Sequence, residues 1–273
     1  MPVRLRTLLK RLPGLLANPR RAFAVLRTRV LPTGVVWRDP EVYHLVGTWT
    51  YGAAPRRPAA EIFPGIEAVD VDLRRVLDRL ENVSVSVREL VVLAAIVRRL
   101  GVRRVLEIGT SDGNTTLNLA ANIMNGGGVS TLDLPPDWDG RLGLDVPDPM
   151  RNVTERQRIG RQYRESPLAA RIQGYFGDSA KVDWGELGGP FDLVFIDGCH
   201  HYDYVVSDTE RALAHLAPGG VIVWHDYGTI EDVSRAVDRF AGPLAIAAVR
   251  SSSLAVGWRA GDPPRQALPP AAR

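Results

Sequence analysis

Cysteine is nearly absent from this sequence: its 273 residues hold one, Cys199. A single thiol excludes an internal disulfide framework and any cysteine-built zinc or iron–sulfur centre, so a reducing compartment is expected. Long apolar runs are missing as well. None approaches the ~20 residues of a membrane span, and the start shows no apolar stretch followed by a small-residue cleavage site. No internal repeat or long low-complexity segment is visible. Acidic residues are missing from positions 1–38, which carry nine bases: Arg4, Arg6, Lys10, Arg11, Arg20, Arg21, Arg27, Arg29 and Arg38. The other 235 residues hold 25 bases against 31 acids, so the net charge of +3 is owed to the N-terminal segment alone. The acidic main body gives no reason to expect a nucleic-acid partner.

What is present is a globular mixture, 45% hydrophobic and 24% charged, long enough for one large domain or two small ones. Leu5, Leu8, Leu9, Leu12, Leu15 and Leu16 recur at helical spacing opposite the early bases, an amphipathic basic helix that Pro13 interrupts. Asn18 and Pro19 then open a second short helix that ends near Pro32. Two roles stand open for this segment: residues 1–32 lie on an anionic membrane surface, or they dock on the protein itself or across a homodimer interface. Residues 39–85 connect and cap.

From residue 86 the pattern becomes regular. Ser86 and Glu89 form a capping box before an apolar helix that Gly101 ends. Strands are predicted at 104–108, 129–132, 172–176, 193–196 and 221–224, and helices at 114–124, 154–166, 203–216 and 230–241. Continuous apolar strands alternating with helices mean a parallel sheet covered on both faces. Two last strands, 244–249 and 253–258, are joined too tightly for a crossover and must pair antiparallel. The expected fold is a doubly wound, Rossmann-like α/β sheet of seven strands over 86–258, with a disordered tail at 259–273.

In such a sheet ligands bind beyond the carboxyl ends of the strands. The first strand runs into Glu107-Ile-Gly109-Thr110-Ser111-Asp-Gly113-Asn114-Thr115, where Gly109 and Gly113 permit a tight turn and the next helix begins with unpaired N–H groups. The second strand ends twenty residues after Gly113 at Asp133, placed to accept from both hydroxyls of a ribose. A nucleoside cofactor follows. Glu107 beside the loop disfavours a pyrophosphate and favours a cationic amino-acid moiety.

With these residues the chain resembles the class I S-adenosylmethionine-dependent methyltransferases, whose first motif is E-x-G-x-x-x-G. "VLEIGTSDGNTTL" is most similar to the small-molecule O-methyltransferase branch that includes catechol and caffeoyl-CoA O-methyltransferases. "GDSA" at 177–180, "FDLVFIDG" at 191–198 and "LAPGGVIVWHD" at 216–226 extend the likeness in order. It implies that Glu107, Gly109, Thr110, Ser111, Gly113, Asn114 and Thr115 surround S-adenosylmethionine, with Asp197 at its border. Asp133 would hold the ribose, Leu134 would lie against the adenine, and Asp178 and Ser179 would touch its edge.

Methyl transfer to oxygen requires alignment of the acceptor and removal of its proton, by a base or through a metal that acidifies the hydroxyl. "DGCHHYDY" and "WHDYG" put Asp197, His200, His201, His225 and Asp226 at two strand ends. By resemblance, Asp197 and Asp226 ligate a divalent cation, magnesium first among the oxygen-preferring ions, and His200 is the base beside catalytic Asp197. Tyr227 departs from the branch, which places an amide or acid there. A structural reading stands beside this one: Asp197 as a turn cap and His225 as a core imidazole.

The expected activity is O-methylation of a small molecule or sugar hydroxyl by a cytoplasmic enzyme, peripheral at the inner membrane if residues 1–32 meet lipid. Two alternatives remain. One is a non-haem iron hydroxylase using His200, His225 and Asp226, and the other a nucleoside-binding membrane module without catalysis. A short-chain nicotinamide dehydrogenase is disfavoured, since it needs Tyr-x-x-x-Lys and the two lysines, Lys10 and Lys181, follow Arg6 and Gly177 at that spacing.

Overall fold

A computed structural model describes residues 51–75, 85–135, 138, 142–146 and 158–265. The basic segment 1–38, most of 136–157 and the last eight residues lie outside that range, and with them the readings made for the N-terminal helices.

The elements run β1 (Arg56–Arg57), α1 (Ala59–Ile62), α2 (Val87–Arg99), β2 (Arg104–Ile108), α3 (Asn114–Asn122), β3 (Gly128–Asp133), α4 (Arg161–Arg164), β4 (Ile172–Phe176), β5 (Phe191–Ile196), α5 (Tyr202–His215), β6 (Leu216–Trp224), α6 (Glu231–Asp238), β7 (Leu244–Val249) and β8 (Ala255–Arg259). They build one sheet in the order β1-β7-β8-β6-β5-β2-β3-β4. Only β8 runs against its neighbours, β6 and β7. The doubly wound α/β fold with an antiparallel end is therefore present, but with eight strands among the described residues rather than the expected seven. The extra strand, β1, is two arginines between Pro55 and Pro58 that pair parallel with Ala248 and Val249. So short a polar piece carries no period-2 signal, and only its partner makes it a strand.

Both faces of the sheet are covered, which explains the unbroken apolar strands. Along β5, Leu193 and Phe195 join the core beneath α2, while Val194 and Ile196 join the core beneath α5 and α6. The capping box forms as expected: Ser86 Oγ accepts from the Glu89 amide and Glu89 accepts from the Ser86 amide. In β6 the strand begins at Leu216, five residues ahead of expectation, because Leu216 pairs with Phe191 before the register shifts around Pro218-Gly219-Gly220. Of the helix expected over 154–166, the described part is the single turn α4. Part of the expected tail is held: the Arg265 amide donates to the Gly219 carbonyl and Asp262 Oδ2 accepts from the Gly219 amide.

Two further devices fix the elements around the sheet. Asn118 and Asn122, buried on α3, each bond both the amide and the carbonyl of one residue in the segment 71–75, Arg74 and Asp72 respectively, as a neighbouring strand would. Tyr227 is wholly buried, donates to Asp238 Oδ1 and accepts from the Ala54 amide, tying residues 51–54 to the domain.

The order places β3 and β4 on one side of β2, and β5 and β6 on the other. The chain reverses its direction of winding between β2 and β5, which is where an open α/β sheet forms its crevice. Pairing continues one residue past the strands there: Gly109 N donates to Leu132 O, Asp197 N to Ile108 O and His225 N to Ile196 O. The four strand ends thus sit in fixed register with one another.

Candidate active site

On the β2 side, Glu107 is completely buried. Its Oε2 accepts from Thr116 Oγ1 on α3 and, at 2.7 Å, from Thr131 Oγ1 on β3, while Oε1 has no partner. Burial pushes its carboxyl up to about 8, against the pull of the two threonine hydroxyls, with Asp197 and Asp133 adding to the rise. An unpartnered acceptor of this kind, near the end of β2, is open to a donor from a bound ligand.

The loop that follows has left-handed backbone at Gly109 (φ +98°), Ser111 (φ +45°) and Gly113 (φ +81°). Protein fills the space of both missing side chains. A Cβ on Gly109 would stand 2.2 Å from the Asp197 carbonyl oxygen, and one on Gly113 would stand 2.6 Å from the Tyr163 ring. Segment 158–164 therefore packs on the loop. Gly160 N donates to Ser111 O, Gln162 N to Asp112 O, and Gln162 Nε2 to Asp112 Oδ2. Asp112 in turn accepts from the Asn114 amide, while Thr110 Oγ1 lies 2.7 Å from Thr131 Oγ1. Thr115 opens α3 next to Asn114.

Asp133 ends β3 with Oδ2 accepting from Ser111 N and Oδ1 from Leu134 N, each at 2.8 Å. Two accepted bonds leave lone pairs for two hydroxyls. Burial raises its carboxyl, and the loop amides restrain the rise.

Asp178 and Ser179, expected at an adenine edge, have protein partners. Asp178 accepts from the amides of Gly143 and Ala180 and from the Tyr204 hydroxyl. Ser179 lies against buried Asp208, whose carboxyl desolvation pushes up to about 7. Asp178 thus holds segment 142–146 onto α5.

The β5 and β6 ends bring together Asp197, His200, His225 and Asp226. His200 Nε2 lies 3.1 Å from Asp226 Oδ2 and 3.5 Å from Asp197 Oδ1. His225 Nδ1 lies 3.1 Å from Asp197 Oδ1 and 3.4 Å from Asp226 Oδ2. Two imidazoles thus face the same two carboxylate oxygens. Asp197, His225 and Asp226 can place one ligand atom each within 4.8 Å of one another, the one group of this kind among the described residues. Asp226 adopts left-handed backbone (φ +58°), tolerable for aspartate, and its carbonyl caps the turn by accepting from Thr229 N and Ile230 N.

Charge couples the cluster. Burial would lower His200, yet the hydrogen-bonding carboxylates of Asp197 and Asp226 raise it to about 9. His225 is likewise raised despite burial, by Asp197, Asp226 and Glu89. Burial opposes ionisation of Asp197 and Asp226, but the imidazoles outweigh it and hold both below the ordinary carboxylate range.

Sequence reasoning missed the role of Glu89, which lies behind His225 and accepts from His225 Nε2 at 3.4 Å and from Ser253 N and Oγ. As the third residue of a capped helix it already had a local purpose, so nothing in the spacing pointed inward to the site. Tyr163 was missed for the opposite reason: α4 is a single turn and has no periodicity. Tyr227, flagged as departing from an expected ligand, turns its hydroxyl away from the cluster to Asp238.

No curated protein matches the sequence. Among solved structures, cofactor-bound Rv0187 from MTB is 21% identical, with 89% of this chain and 97% of that one covered and a TM-score of 0.49. The O-methyltransferase TomG from Streptomyces achromogenes, in complex with SAM, is 16% identical, with 73% and 96% covered and a TM-score of 0.49. An O-methyltransferase from Bacillus cereus in complex with SAH is 19% identical, with 86% and 96% covered and a TM-score of 0.46. Residues 106–227 match the Methyltransf_24 family, described as a methyltransferase domain. That stretch starts in β2 and stops one residue after Asp226, so the part of the chain similar to a methyltransferase domain spans the four strand ends around the crevice.

Proposed function

We propose that the domain, over residues 86–258, moves a methyl group from S-adenosylmethionine to a hydroxyl oxygen of a small molecule or sugar. The observation that carries this reading is the juxtaposition across the switch point: a nucleoside-type site at β2 and β3 faces a basic and acidic cluster at β5 and β6. The residues fit the cofactor, since Glu107 Oε1 is buried without a partner and Asp133 keeps acceptor capacity beside the Ser111 amide. When bound, S-adenosylmethionine supplies an electrophilic methyl on a sulfonium; the carbon–sulfur bond breaks as the oxygen–carbon bond forms, leaving S-adenosylhomocysteine.

The chain's own part is alignment and proton removal. Loop 109–115 and Asp133 hold the nucleoside and its amino-acid end, and His200 takes the acceptor's proton in its neutral form, which is reached as pH rises towards about 9. The residues also fit a divalent cation, because Asp197 and Asp226 converge and His225 Nδ1 beside them is buried with no hydrogen bond. Such an ion acidifies a bound hydroxyl. Nothing in the family match favours the hydroxylase or non-catalytic alternatives.

Titration calorimetry with S-adenosylmethionine should show binding, and no heat at millimolar concentration would sink the reading. His200→Ala should lower kcat by about 10²–10⁴ while cofactor affinity holds.

No helix among the described residues is long and apolar enough to cross a membrane. From its leucines and bases we propose that segment 1–32 contacts an anionic lipid surface from the cytoplasmic side, rather than a homodimer partner. Flotation with anionic liposomes should be lost on removing it; equal flotation of the two proteins would reject the contact.

A further inference from the structure

The cation reading above leaves one ligand to be found, and the geometry decides which residue supplies it. Tyr227 cannot, because its hydroxyl is bonded to Asp238 and the Ala54 amide on the far side of the turn. His225 can. Its two ring nitrogens have different surroundings: Nε2 hydrogen-bonds Glu89 Oε2, whereas Nδ1 is buried, has no aligned hydrogen bond, and stands 3.1 Å and 3.4 Å from Asp197 and Asp226. A carboxylate on Nε2 keeps a proton there, so the nitrogen that faces the cluster, and that a bound cation would take in place of a proton, is Nδ1.

Glu89 is built for this task. Oε1 accepts from Ser253 N and Ser253 Oγ, and Oε2 accepts from Ser86 N and Ser86 Oγ, so the carboxylate is gripped from two elements and cannot swing. It is wholly buried, and the Phe195 ring meets His225 edge-on at 6.3 Å, fixing the imidazole plane. Neither Glu89 nor Ser253 falls within the stretch matched by the methyltransferase family, so this support is a feature of the chain around that domain.

We propose that Asp197, His225 and Asp226 form a mixed nitrogen–oxygen cation site, oriented from behind by Glu89. The site takes an imidazole-accepting first-row cation of the manganese, cobalt or zinc class in preference to magnesium or calcium. Magnesium and calcium are hard ions served by all-oxygen sets, and an imidazole in one of three protein positions weakens such a set for them. It strengthens the same set for borderline ions. This preference departs from the magnesium expected by resemblance, and it rests on the reading that a cation binds there at all. Glu89 acts through His225 as a positioning residue.

The test uses the full chain stripped of metal. Manganese-loaded protein should show nitrogen-14 modulation in pulsed electron paramagnetic resonance, a signature that needs no variant, and its absence would overturn the proposal. Cobalt binds more tightly than magnesium at most sites, so the decisive quantity is a change in preference. His225→Asp should lower the cobalt-to-magnesium affinity ratio by at least about tenfold and remove the nitrogen signal; an unchanged ratio would reject His225 as ligand. Glu89→Gln should lower cobalt affinity by about 10–100-fold. Glu89 also caps α2, so its variant is melted alongside, and a folded variant with undiminished cobalt affinity rejects the positioning role. S-adenosylmethionine titrations on the same samples separate the two readings. Cofactor binding without a cation preference sinks this inference alone, whereas a nitrogen-ligated cation without cofactor binding supports the site and sinks the methyltransferase reading.

Discussion

Glu107 carries a cost of burial in the ligand-free fold that the proposed cofactor would offset. Burial lifts its carboxyl from an ordinary 4.5 to about 8, so the folded state holds that proton more tightly than the unfolded one. Stability from this group is accordingly lost as pH climbs from 4.5 through 8. Asp208, raised by desolvation to about 7, and His200, raised to about 9, have the same sign, since each binds its proton more tightly when folded. Melting of the ligand-free protein should therefore fall across that window. Glu107→Gln keeps an acceptor for Thr116 and Thr131 but removes the titration, so its melting temperature should rise relative to the wild type's as pH climbs towards about 8, and the two should run parallel below 4.5. Its affinity for S-adenosylmethionine should drop. A parallel pH dependence in both proteins would mean the carboxyl ionises freely.

Tyr227 provides the contrasting residue, structural at a position where the resembling branch carries an amide or acid. Its burial and its bond to Asp238 hold the hydroxyl proton, raising the phenol above its usual range. Tyr227→Phe leaves the Ala54 amide and Asp238 without that partner and should cost about 1–2 kcal/mol in urea unfolding, with cation affinity unchanged. Loss of cation binding in that variant would place Tyr227 in the site after all.

At the scale of elements, α3 does two jobs. Its N-terminus follows the glycine loop at 109–113, and its buried asparagines hold the segment 71–75. Replacing Asn118 or Asn122 by alanine strips a backbone amide and a backbone carbonyl of their partners at once. Each change should cost about 2 kcal/mol, or about 6 °C of melting temperature. Losses additive to within about 0.5 kcal/mol would show two independent clasps, and a smaller combined loss would show that one suffices. The two elements that periodicity could not find, β1 and α4, are also the ones that close the site's surroundings. β1 exists because Ala248 and Val249 present a free strand edge, and α4 because Gly113 and Gly160 leave room for the Tyr163 ring.

For the whole molecule, the β1 edge and the Tyr227 anchor make residues 51–57 part of the folded unit. Removing everything before residue 58 should lower stability by roughly 3 kcal/mol, about 10 °C. If melting is instead unaffected, the edge strand is ornamental. What the residues alone could settle was the frame: apolar strands alternating with helices, a tight antiparallel end, a glycine loop before α3 and acids at three strand ends. Those features are local, and local pattern reports on burial and backbone freedom. The partners across the fold were another matter. That Glu89 stands behind His225, 136 positions away, that Asp178 holds Gly143, and that protein rather than ligand fills the space at Gly109 follow from packing between distant segments. No periodicity encodes which buried acceptor meets which donor. Burial and charge in three dimensions set the cluster's protonation and, through Glu89, which nitrogen of His225 faces the carboxylates.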